Sequence, residues 1–163
     1  GCLATGLAAR RPPHALVLIS PFYGVTHRWY YLLPVEWWCS LVSPLMDSVP
    51  AQKSVNRPAG KEDIVGYDNY PMSGLEMLFS LRDRVLEEAD GSRIRRPVLL
   101  IYSAGDGVAS PGRMVEVVRR LADGPCRTRR FTRSNHYILH DYDRREAVRS
   151  AVEFLGDHAG TAE

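Results

Sequence analysis

Apolar residues recur along this chain in two rhythms, and the alternation between them predicts its architecture. The run Ala15-Leu-Val-Leu-Ile-Ser20, set between Pro13 and Pro21, is short and continuously apolar, the pattern of a strand buried on both faces. A second such strand is predicted at 97–102 (Pro-Val-Leu-Leu-Ile-Tyr), and a further strand, not of this apolar kind, at about 127–132. Between them the spacing is helical. Residues 2–10 place Leu3 and Leu7 at i, i+4 among small side chains suited to close packing. Residues 72–89 carry Leu75, Leu78, Leu81 and Val85 on one stripe, with Arg82, Asp83, Arg84, Glu87 and Glu88 elsewhere. A helix at about 111–122 carries Met114, Val117, Val118 and Leu121. The last, at about 143–156, opens on Asp143-Arg-Arg-Glu146, an acidic N-cap with Glu three residues on. Strands alternating with helices predict a parallel α/β sheet, its strands adjacent in the order 15–20, 97–102, 127–132.

From Phe22 to about Asn69 the regularity fades. The stretch 27–46 is rich in aromatics and broken by prolines, which predicts short helices, and a loop follows from about Pro50 to Gly66. With 163 residues the chain is one domain's worth, long enough to bury a core. No apolar run reaches the roughly 18 residues of a spanning helix. A net charge of +2 is too small to argue for nucleic acid as the main partner. Arginines do cluster, at Arg93, Arg95 and Arg96 and at Arg127, Arg129, Arg130 and Arg133; this reads as a solvated face beside an exposed strand, where charge discourages pairing with another chain. Cys2, Cys39 and Cys126 form an odd set without metal-ligand spacing, which predicts reduced thiols and a cytoplasmic protein.

Two segments carry the chemistry. Asp106 follows the strand at 97–102 by a few residues, and His136 follows the strand at 127–132 in the same way. In a parallel sheet the C-terminal strand ends share one edge, and neighbouring strands lie about 4.8 Å apart. The two side chains can therefore meet. A carboxylate that accepts from Nδ1–H fixes the tautomer of the imidazole and leaves Nε2 free to take a proton from a hydroxyl nucleophile. Taken singly, Asp106 between Gly105 and Gly107 reads as a turn residue and His136 as a loop histidine; the pair, in acid-then-base order, points to a catalytic triad. His27 and His140 do not follow a strand directly, and Asp141 and Asp143 read as capping groups for the final helix.

These segments resemble the C-terminal half of the α/β-hydrolase fold, in particular the bacterial carboxylesterase and monoacylglycerol-lipase-like branch. In that group a strand reading Pro-Val-Leu-Leu-Ile is followed by Asp-x-Val-x-x-Pro, matched by Asp106-Gly-Val-Ala-Ser-Pro111. Its histidine loop reads Ser-Gly-His, then apolar residues, then Asp, matched by Ser134-Asn-His136 through Asp141, with Asn135 in place of glycine. The start of the chain is similar to the helix and strand that follow the family's nucleophile elbow, Gly-x-Ser-x-Gly-Gly.

The resemblance implies the C-terminal part of an α/β-hydrolase sheet, about three parallel strands with flanking helices, filling residues 1–163, with 22–71 as an inserted helical cap. Gly1 would be the last glycine of the elbow, and the nucleophilic serine would lie three residues before the chain begins. No internal serine stands in a Gly-x-Ser-x-Gly context; Ser20, Ser73 and Ser103 do not. It further implies a carboxylesterase or lipase acting on a small-molecule ester with an apolar acyl group, with Asp106 and His136 as catalytic residues. Trp29, Tyr30, Trp37 and Trp38 of the cap would line the acyl pocket or pack the cap's own small core, and could touch a membrane interface. No metal or organic cofactor is implied. An amidase, thioesterase or acyltransferase on the same fold, or a catalytically inactive interaction module, remains the alternative.

Overall fold

A computed structural model describes residues 1–26, 41, 44–51 and 53–159. Three parallel strands form the central sheet: β1 (Leu16–Ile19), β4 (Val98–Ser103) and β5 (Cys126–Phe131), in the order β1-β4-β5. Leu16 pairs with Val98 and Ile19 with Ile101, and on the other side of β4 Val98 pairs with Cys126 and Ser103 with Phe131. The central strand is the most apolar, and Leu100 and Ile101 are wholly buried. The alternation of elements along the chain predicts this arrangement.

Helices cover both faces of the sheet. On one face α1 (Cys2–Arg10), α3 (Met72–Ser92) and α4 (Pro111–Leu121) pack Ala8, Leu86, Ala89, Met114, Val117, Val118 and Leu121 onto Leu16, Leu18, Val98 and Leu100. On the other, α5 (Arg144–His158) packs Ala147 and Phe154 onto Leu99 and Ile101, with Ile138 beside them. Successive side chains of β4 feed opposite layers, which is why its sequence is apolar from Val98 to Ile101. Ser110 caps α4, its hydroxyl accepting from the Arg113 N–H at 3.4 Å, and Pro111 occupies the first turn.

Two helix faces differ from the expected ones. In α1 the leucines point outward, Leu3 being 64% and Leu7 61% exposed, and Thr5, Gly6 and Ala8 are buried instead. The small side chains let α1 approach α3 so closely that a Cβ at Gly6 would meet Val85 Cγ1 at 3.2 Å. In α3 the buried set is Met72, Phe79, Arg82, Val85, Leu86 and Ala89, whereas Leu78 and Leu81 are partly exposed. The buried stripe is thus rotated from the one drawn through the leucines. Arg82 can join it because its stem is apolar; its guanidinium lies 5.3 Å from the Phe79 ring centroid and pairs with Asp83 at 2.8 Å.

The segment expected to hold short helices and a loop also contains strands. β2 (Ser48–Pro50) pairs antiparallel with β3 (Asn69–Pro71), Ser48 opposite Pro71, and a short helix α2 (Pro58–Glu62) lies between them. Strands of three largely exposed residues leave no apolar alternation for a sequence to display. Among the described residues no helix is long and apolar enough to cross a membrane.

Candidate active site

Asp106 and His136 leave the same edge of the sheet and meet. The Asp106 carboxylate begins three residues past the end of β4, and His136 lies five residues past β5. His136 Nδ1 is 2.8 Å from Asp106 Oδ2. Backbone geometry divides the work between the two carboxylate oxygens: Oδ1 accepts from the Val108 and Ala109 N–H groups at 2.9 and 2.8 Å, which leaves Oδ2 to the imidazole. This is the Asx turn that Asp106-Gly-Val invites, put to a second use. The Asp106 side chain is fully buried and that of His136 is 18% exposed. A shielded carboxylate thus backs a partly exposed imidazole, and among the described residues no hydrogen bond to Nε2 is seen.

The loops that carry the pair are tied to each other. Ser103, buried at the end of β4, donates its hydroxyl to the Ser134 carbonyl and accepts from the Gly105 N–H at 3.2 Å. Asn135 Oδ1 accepts both the Gly107 N–H at 2.9 Å and the His136 N–H at 2.8 Å, bridging the acid loop to the histidine loop. Ser103 is committed to this link. Ser20, just past β1, is held at a φ of 43° with its hydroxyl buried and unpaired among the described residues.

Asp141 and Asp143 do not serve as caps for α5. Asp143 occupies the N-cap position without a side-chain bond into the helix; its Oδ2 accepts instead from the Ser134 N–H and hydroxyl at 2.9 and 2.8 Å. Asp141 accepts four backbone N–H groups, from Asn56, Arg57, Asn135 and Tyr142, at 2.7 to 2.9 Å. Burial pushes its carboxyl pKa up, but the four donors together outweigh that and hold it below the ordinary carboxylate value. Asp143 is committed to the histidine loop rather than to the helix, and the 3₁₀ turn Ile138–His140 leads directly into Asp141. What a sequence reading misses is the part that these two acids and Asn56, Ser134 and Asn135 play in the hydrogen-bond network of the site. Asp141 closes the quoted histidine motif, so the signal was present.

A depressed pKa fixes the sign of a pH effect. The contribution of Asp141 is complete above the unfolded carboxyl value of about 3.9 and is lost as pH falls through the lower folded value. Asp141→Asn is expected to cost about 3 kcal/mol at neutral pH, since an amide cannot satisfy four donors. In urea titrations the gap between the two proteins should narrow as pH falls below the unfolded carboxyl value and toward the lower folded one. A gap unchanged by pH would show that the charge is not what stabilises the loop.

Tyr137 follows the histidine, its ring edge-on to the imidazole with centroids 5.2 Å apart. Burial and a side-chain hydrogen bond with Tyr70 of β3 raise its pKa above the ordinary value. Trp29, Tyr30, Trp37 and Trp38, expected to face substrate, lie outside the described residues, as do His27 and Cys39. Cys2 and Cys126 are free thiols. Among the described residues no group of three or more His, Cys, Asp or Glu side chains is placed to hold a metal ion.

No protein-family profile and no curated protein matches the sequence. Solved structures do. One comes from LipS and LipT, two metagenome-derived lipolytic enzymes, at 15% identity and a TM-score of 0.80, covering 96% of this chain and 61% of that one. A soluble variant of monoglyceride lipase from Saccharomyces cerevisiae, in complex with a substrate analog, matches at 10% identity and 0.75, over 96% and 61%. A monoacylglycerol lipase from Paleococcus ferrophilus matches at 19% identity and 0.71, over 96% and 65%. The chain therefore spans less than two thirds of the length of each. With its three parallel strands, flanking helices and these neighbours, the chain has the α/β-hydrolase fold.

Proposed function

We propose that this chain carries the acid and the base of a serine hydrolase that cleaves carboxylic esters. The observation that supports this best is the 2.8 Å contact of His136 Nδ1 with the buried Asp106 at the C-terminal edge of a parallel sheet. In this reading a serine upstream of Gly1 supplies the nucleophile. His136 Nε2 removes its proton as the oxygen attacks the ester carbonyl, then gives that proton to the leaving alcohol as the tetrahedral intermediate collapses. Water repeats the sequence on the acyl-enzyme. Asp106 holds the imidazole in the tautomer with a proton on Nδ1 and stabilises the imidazolium formed at each transfer.

An apolar acyl group is the proposed substrate feature. It rests on the aromatic run around Trp29, Tyr30, Trp37 and Trp38, and on the lipolytic enzymes among the structural neighbours. Residues 22–71 form the proposed cap over the site, with weak contact to a membrane interface through its aromatics. The free thiols support a cytoplasmic setting.

Expressing these residues joined to the sequence encoded upstream and assaying p-nitrophenyl esters of increasing chain length tests the reading. Turnover is expected from the joined protein, lost on replacing the upstream serine, and absent from residues 1–163 alone. Full activity from the 163 residues alone would overturn the upstream nucleophile. Turnover of amides or thioesters in preference to oxygen esters would move the assignment to an amidase, thioesterase or acyltransferase.

A further inference from the structure

The stretch from Ser54 to Gly60 belongs to the segment between β1 and α3, yet it is fastened to the histidine loop at every turn. The Tyr137 N–H donates to the Ser54 carbonyl at 3.3 Å. The Asn56 side chain donates to the Arg133 carbonyl at 2.9 Å and accepts from Asn135 Nδ2 at 3.3 Å. Gly60 lies against the His140 carbonyl so closely that no Cβ fits between them. Beneath these contacts sits Asp141, 3% exposed, which takes the Asn56 and Arg57 amides from one segment and the Asn135 and Tyr142 amides from the other.

We propose that Asp141 is a positioning residue for His136, and that residues 54–60, gripped through it, are the brace by which the inserted segment sets the place of the imidazole. The inference rests on the reading of His136 as the base. An ionised carboxylate offers about four lone-pair sites, and here each meets a backbone amide, so the network is full. Backbone donors cannot swing away as side chains can. Asn135 lies between Asp141 and His136: its amide is held by Asp141, and its Oδ1 holds both the His136 amide and the Gly107 amide of the acid loop. A shift of the brace is therefore transmitted through one residue to the imidazole and its distance from Asp106. Misplacing a catalytic group by about 1 Å can cost about 100-fold in rate, so a brace at this position sets the rate.

NMR on the 163-residue chain, with the imidazole nitrogens labelled, tests this without needing the nucleophile. In the unmodified chain the His136 Nδ1 proton should appear as a downfield, slowly exchanging signal. In Asp141→Asn that proton should exchange roughly tenfold faster or more, and its shift should move upfield, while the amides of β4 and β5 keep their positions. Should Asp141→Asn fail to fold, Asn56→Ala decides, because it removes only the two side-chain ties; the same change in smaller measure is expected. In the protein joined to its upstream sequence, Asp141→Asn should lower kcat about 100-fold with KM little changed. A folded variant whose His136 proton keeps its shift and exchange rate would overturn the brace and leave the functional reading standing. No such signal in the unmodified chain would sink the acid–base pair itself, and the brace with it.

Discussion

On the proposed mechanism Asp106→Asn is expected to lower ester turnover by about four orders of magnitude in the chain joined to the sequence encoded upstream, with the protein still folded. Folding survives because Asn can present its side-chain oxygen to the Val108 and Ala109 amides, two of the bonds that fix the loop. The other arm then turns an NH₂ toward His136, where the carboxylate accepted. The imidazole answers by moving its proton to Nε2, the nitrogen that must be bare to receive one from the serine. The variant is thus built correctly around the wrong tautomer. Asp106→Ala would test less, since it strands two buried amides and confounds stability with catalysis. The measurement is kcat at saturating ester alongside the thermal midpoint. A loss below tenfold with an unchanged midpoint would remove Asp106 from the mechanism.

Leu100→Ala is expected to cost about 2 to 5 kcal/mol in chemical denaturation, a large share of the roughly 5 to 15 kcal/mol that holds a domain together. Leu100 is wholly buried at the middle of the central strand, among side chains of the helical layer made by α1, α3 and α4. Its neighbours in that layer belong to other elements, which limits how far the void can close. In this chain the same change at Leu7 should fall within about 0.5 kcal/mol, because that side chain is 61% exposed. Equal losses at the two positions would contradict the orientation of α1.

The contrast between these leucines marks where the sequence can be read. β1 and β4 announce themselves because a strand covered on both faces reads as a near-continuous apolar run. Helix faces are harder. In α1 the close approach to α3 selects small residues, so the buried face is the one that looks least hydrophobic. In α3 an arginine lies on the buried stripe. The acid and the histidine were legible from their place after strands, since the parallel sheet turns a sequence offset into a shared edge. Asp141 was visible as a residue and not as a role: its partners Asn56 and Arg57 lie 85 and 84 positions away, and no local pattern announces a bond of that span. The antiparallel pairing of β2 with β3 was hidden because its three-residue, largely exposed strands show no apolar alternation.

The exposed strand β5 has a practical consequence for anyone handling the protein. Arg127, Arg129 and Arg130 stand along it, and among the described residues Arg127 pairs with Asp157 at 3.3 Å across an open cleft. Two copies brought edge to edge would set guanidinium against guanidinium, at about 1 kcal/mol for each pair near 4 Å in water. That repulsion reaches about 10 Å at 0.1 M salt and only about 3 Å at 1 M. Low-salt buffer is therefore the gentler one for concentrating this chain, because high salt screens the charge that keeps copies apart.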